Sequence, residues 1–240
     1  DCFHDTDQRC HRTPLLNGFA SFQQAPLNEN HIQLAKLLQA GANILTTNFD
    51  LCVEHAYEQL YHQLLNRETL EGTPIFLTNS RACVLHLHGA ADNLENLGTT
   101  IRNIKSLNPH VQCEVLTKLR ACKLLILVGY GVGDSFDITP FFERLYFPEQ
   151  KPALLYFAHG KSDPPLPLDR FAAAFSSLYI SSGDTAQFLK YFCRCHVTDA
   201  TIDPVPVSEG FPWKERFQSC WNSSYTQKDQ LINLAAVRYK

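Results

Sequence analysis

The sequence predicts an α/β protein with a Rossmann-like, doubly wound, mostly parallel sheet and helices on both faces. Three observations carry that expectation. Short β-type runs alternate with helical patterns along most of the chain. The connections between the runs are long enough to be helical crossovers. One run, "CKLLILVGYG", is continuously apolar, as a strand covered on both faces of a parallel sheet would be.

The elements follow in order. In "ENHIQLAKLLQA" (29–40), Ile32, Ala35 and Leu38 lie beside Leu34 and Leu37, and Gly41 stands as a stop. That pattern predicts a helix. "NILTT" predicts a short buried strand. After Asp50, apolar residues fall at Val53, Ala56, Tyr57, Leu60, Tyr61 and Leu64, the spacing of an amphipathic helix. Asp50 or Asn48 is its expected N-cap. "PIFLT" and "ACVLHLHG" predict two strands, and residues 110–121 a helix. Beyond "CKLLILVGYG", Thr139-Pro140 predicts a helix start, with threonine as cap and proline in the first turn. "ALLYFAHG" reads as a strand, "PLDRFAAAFSSLYI" as a helix running into a strand, and "DTAQFLKYFCR" as a closing helix. Residues 1–196 are thus expected to form one nucleotide-binding domain. Residues 197–240 open with a stretch rich in Pro, Asp, Thr and Ser and read as a linker with a C-terminal helical tail.

Bulk properties narrow the function classes. The 240 residues are 45% hydrophobic and 19% charged, ordinary for a globular protein. A net charge of −3 and a pI near 6.4 give no electrostatic footprint for nucleic acid. No apolar run has the length of a bilayer span, and no signal-peptide pattern opens the chain. Nine cysteines, an odd number without framework spacing, read as reduced thiols in a cytoplasmic protein. The chain contains no methionine and starts "DCFHDTDQRC". The full protein is therefore expected either to extend beyond this numbering or to include residues absent from it.

Chemistry is concentrated at three strand ends. These are Thr46-Thr47-Asn48-Phe49-Asp50, His86-Leu87-His88-Gly89 and Gly129-Tyr130-Gly131-Val132-Gly133-Asp134. Each has a plain structural reading by itself: a helix cap, a hydrogen-bonded strand-end histidine, a common glycine turn. Together they would share the carboxyl edge of one parallel sheet, where open α/β sheets bind their ligands.

The order "TTNFD", then "HLHG", then an apolar strand into "GYGVGDSF" resembles the SIR2-like proteins, bacterial relatives of the sirtuins. The likeness runs over roughly residues 30–147. It implies a Rossmann-like fold that takes NAD as substrate, with Asn48 and His88 as the catalytic pair. Thr46, Thr47, Asp50, Gly129, Tyr130, Gly131 and Asp134 would lie against the nucleotide. It implies cleavage of the nicotinamide–ribose bond to nicotinamide and ADP-ribose, in the manner of a bacterial antiviral effector that depletes NAD. A homo-oligomer or an activating protein partner is expected, and no membrane.

Two departures stand beside the likeness. The G-A-G-x-S opening of the family, whose loop holds the pyrophosphate, has no counterpart before Glu29. Either that piece is missing from these residues, or NAD binding is weak or absent. The paired C-x-x-C of a sirtuin zinc module is also lacking, since Cys193-Arg194-Cys195-His196 is a lone cluster. Protein deacylation is therefore not expected, and no metal ligands are assigned.

The residue types suit the implied reaction. Nicotinamide leaves a cationic pyridinium as a neutral molecule, so no acid need protonate it. The usual carboxylate pair of a glycosidase is not required. An amide such as Asn48 can orient a ribose hydroxyl or water without adding charge. A histidine such as His88 can accept a proton near neutral pH. Two other readings remain open: a non-catalytic NAD or ADP-ribose sensor or assembly module, and a metal-dependent hydrolase using His86, His88 and a remote carboxylate.

Overall fold

Strand and helix alternate as expected in the computed structural model. The structure describes residues 18, 21–93, 107–130, 138–147, 150–160, 168 and 173–197. A short 3-10 turn, Ser21–Gln24, precedes helix α1, Glu29–Gln39. Then come β1 (Ile44–Thr46), α2 (Cys52–Tyr61), β2 (Asn66–Leu70), β3 (Thr73–Leu77) and β4 (Cys83–His86). Helix α3 (Pro109–Ala121) leads into β5 (Leu124–Val128), and α4 (Ile138–Glu143) into β6 (Ala153–His159). Strand β7 (Leu178–Gly183) and helix α5 (Thr185–His196) follow. All but Val197 of the expected tail of 197–240, and most of the helix expected in "PLDRFAAAFSSLYI", lie outside the described residues.

The strands form two sheets, in the orders β1-β4-β3-β2 and β5-β6-β7. Strands β1 and β4 are parallel, as are β5, β6 and β7. The first sheet also carries an antiparallel hairpin, β2–β3, which sequence patterning did not suggest. Strand β2 is polar and exposed along most of its length, so it has no hydrophobic signature. What makes it a strand is the turn: Glu71 and Gly72 take φ of 48° and 84°, and Leu70 pairs Thr73 across them. A two-residue turn with both φ positive matches the twist of a hairpin.

Side chains alternate across the first sheet, as the period of two requires. Phe76 and Val84 face α1 and α2, packing with Ile32, Ala35, Leu38, Val53, Ala56, Tyr57 and Leu60. Ile75, Cys83 and Leu85 face α3, where Val111, Val115 and Leu119 also meet Leu127, Leu154 and Tyr156 of the second sheet. One helix layer therefore spans both sheets. On the opposite side, α5 stacks Phe188 on Phe157 of β6 at 4.1 Å and joins Cys193 to the Gln33 carbonyl of α1 at 3.2 Å. Helices thus cover both faces, which is the doubly wound arrangement.

Two expectations of burial need correction. Strand β1 is only half-buried, and in β5 only Leu127 is buried while Leu124 is 38% exposed. Among the described residues each of these strands has a neighbour on one edge alone, β4 for β1 and β6 for β5. The caps differ too. At α2 the N-cap is Leu51, and Asp50 takes the Cys52 N–H at 3.1 Å from one position further out, while Asn48 does not cap. Helix α4 starts at Ile138, so Thr139 lies inside it and is buried.

Candidate active site

The chain crosses from β1 to β4 by way of α2 on one face, and from β4 to β5 by way of α3 on the other. In open α/β sheets the ligand crevice lies outside the carboxyl ends of the strands. Leu87, just after β4, and Tyr130, just after β5, pack on the same core cluster.

Register sets side by side the strand ends from which the turns of the two expected catalytic residues leave. Thr46 pairs His86 in the parallel ladder, so Asn48 and His88 each stand two residues past a paired position. Asn48 is exposed and His88 half-buried. The "ACVLHLHG" strand is shorter than its apolar pattern suggests: β4 ends at His86, and His88 lies in the turn that follows. That turn closes with the Gly89 N–H on the His86 carbonyl at 3.2 Å, and Gly89 takes φ +86°.

Three hydrogen bonds stitch the two turns together. The Leu87 N–H donates to the Thr46 carbonyl at 2.9 Å, and the Ala91 N–H to the Phe49 carbonyl at 2.7 Å. His86 Nδ1 donates to the Asn48 carbonyl at 2.9 Å. Within the first turn, the Asn48 N–H donates to Thr46 Oγ1 at 3.0 Å. The backbone on either side of the Asn48 side chain is thus held from two directions.

Beneath these turns lies a buried pair that sequence reasoning missed. His86 is 1% exposed, and its Nε2 stands 2.6 Å from Glu54 Oε1 on the first turn of α2. Since Nδ1 already donates to a carbonyl, an ionised Glu54 makes both ring nitrogens donors, and His86 an imidazolium. Burial pulls the His86 pKa down, but the Glu54 bond and charge, with the Asn48 carbonyl and Asp50, outweigh it and leave the pKa above its ordinary value. Phe76 adds an edge-on ring contact at 5.6 Å. With both nitrogens engaged, His86 has no lone pair for a metal, which removes the H-x-H reading. Glu54 sits amid the apolar positions of α2, and a carboxylate there was the one sequence signal of a buried partner.

The remaining expected residues are spread over both sheets. Thr46, Thr47 and Asp50 line the first turn, half-buried. Gly129 leaves β5 exposed, with φ +66°. Tyr130 packs on the core and sets its hydroxyl 3.3 Å from Thr139 Oγ1. Gly131 and Asp134 lie outside the described residues.

Comparison with known proteins agrees with the motif order. A family profile described as SIR2-like domain matches residues 42–184, from just before β1 to the cap of α5. No curated protein matches the chain. With the three motifs, the parallel strands and a profile covering more than half of its length, the chain belongs to the SIR2-like domain family.

Proposed function

We propose that this protein is an NAD⁺ hydrolase that cleaves the nicotinamide–ribose bond and releases nicotinamide and ADP-ribose. The observation that supports the reading is the pairing of Thr46 with His86, after which the turns carrying Asn48 and His88 leave two neighbouring parallel strands. Asn48 orients a ribose hydroxyl and the incoming water, and His88 accepts the proton released as the new bond to ribose forms. Thr46, Thr47 and Asp50, with Gly129 and Tyr130, would lie against the nucleotide. The substrate is NAD⁺, and the setting is the bacterial cytoplasm, where an antiviral effector would deplete NAD after a homo-oligomer or an activating partner switches it on.

The test is nicotinamide release by the wild type and by Asn48→Ala and His88→Ala. Loss of a general base lowers kcat by about 10²–10⁴-fold, with the thermal transition nearly unchanged. Wild-type turnover in both variants would rule the assignment out. The alternative is a module that binds NAD or ADP-ribose without turnover. Calorimetry that shows binding while no nicotinamide appears would establish it instead.

A further inference from the structure

We infer that His31, Asp50 and Cys52 form a binding site for a divalent transition-metal ion of the zinc class, directly beneath the Thr46–Asp50 turn. Each of the three offers one ligand atom, and these atoms lie within 4.8 Å of one another. One nitrogen, one oxygen and one sulfur donor suit Zn²⁺ or Co²⁺ better than the oxygen-seeking Mg²⁺ or Ca²⁺. The charges also match: a thiolate, a carboxylate and a neutral imidazole cancel a dication, which makes the set cheap to bury.

The donors come from three segments that the fold holds in place. His31 sits in the first turn of α1 and is tied to Asn28 by a reciprocal capping box, its Nδ1 accepting the Asn28 N–H at 3.2 Å. Asp50 is fixed by the N–H of Cys52. Cys52 is 1% exposed, with Sγ 3.6 Å from the Ala25 carbonyl.

A second, independent observation points to a cation. Glu54 is buried, and its Oε2 makes no hydrogen bond among the described residues, although Oε1 is held by His86. A buried carboxylate oxygen without a donor is costly. Glu54 lies two positions from Cys52 on α2, so a dication at the site would bring positive charge within one helical turn of that carboxylate.

Binding balances simply. The Cys52 thiol gives its proton to solvent as the sulfur–metal bond forms, and Asp50 contributes a carboxylate lone pair. His31 contributes a ring lone pair. Through Nε2, that moves the imidazole proton to Nδ1 and gives up the long bond from Asn28. The ion would tie α1, the Asn48-bearing turn and α2 together, whether or not the protein cleaves NAD.

Cobalt titration of chelator-treated protein tests this. The expected result is equimolar binding with a thiolate-to-cobalt charge-transfer band that Zn²⁺ displaces. The band should vanish in Cys52→Ser and persist in Cys113→Ser and Cys195→Ser, which remove exposed thiols. His31→Gln should weaken cobalt binding by more than about tenfold, since even outer hydrogen-bond partners of metal ligands cost that much. No band, or a band kept in Cys52→Ser and lost with an exposed cysteine, overturns the site. Should Cys52→Ser fail to fold by circular dichroism, His31→Gln decides, and unchanged cobalt affinity overturns the proposal. The readout is metal binding, so failure here leaves the NAD reading untouched.

Discussion

The carboxyl ends of the two sheets are built by different means. At the first, the carbonyls of Thr46, Asn48 and Phe49 all accept hydrogen bonds from the segment after β4, over a buried His86–Glu54 pair. At the second, backbone conformation does the work. Gly129 and Gly160 leave β5 and β6 with φ of +66° and +79°, and the Gly160 N–H donates to the Gly183 carbonyl at 2.8 Å. Among the described residues, side-chain ties there include the exposed contact of His159 Nδ1 with Thr185 Oγ1 at 3.1 Å. The difference teaches that, among the described residues, the first end is the one tied by hydrogen bonds between its turns, which is what the proposed catalytic amide and imidazole would require. The second, with glycine at its mouth, suits close approach of a backbone to a ligand.

Breaking the buried pair should have the largest effect on stability. His86→Ala leaves the buried Glu54 without the partner of its Oε1, and denaturant unfolding should show a loss of about 3–5 kcal/mol. His88→Ala, two residues on, should stay within about 0.5 kcal/mol. Equal losses would erase the distinction between a supporting and a reacting histidine. The same pair sets a pH signature. His86 titrates above its ordinary value in the folded protein, so its contribution is complete below the unfolded pKa of about 6.5. It then fades as pH rises through the folded value. Wild-type stability should decline across that alkaline window more steeply than that of His86→Ala.

Smaller effects sharpen the second end. Gly129→Ala meets no atom within 4 Å, so any penalty is conformational, and φ +66° predicts about 1–2 kcal/mol. A neutral result would mean that this turn relaxes without cost and is no constrained feature. Asp184→Ala removes the cap on α5, where Oδ1 accepts the Gln187 N–H at 2.8 Å, for about 1 kcal/mol by thermal unfolding.

Much of the fold was legible because its signals are local. Ile32, Ala35 and Leu38 repeat at helical spacing, and all three are buried in α1. The β6 run "ALLYFAH" is a strand, and Asp184 caps the closing helix. Strand β2 escaped notice because its residues are polar, and a hairpin turn rather than burial makes it a strand. The β5 run promised burial on both faces, but burial depends on which neighbours arrive, and one of its edges has none among the described residues. At the site, the turns bearing Asn48 and His88 could be picked out by their residue types. The role of His86 could not, because its partner Glu54 lies 32 positions away on another element.

By itself the sequence determined the alternation of strand and helix, the order of the three polar turns and the family they mark. Those follow from periodicity and short-range chemistry, which every few residues carry in full. Only the tertiary structure decided that Thr46 aligns with His86, that His86 is locked onto Glu54 while His88 stands in the turn beyond, and that His31 meets Asp50 and Cys52. The physical reason is register: a slip of one position in a ladder reverses which side chains face inward, and no local pattern states the pairing.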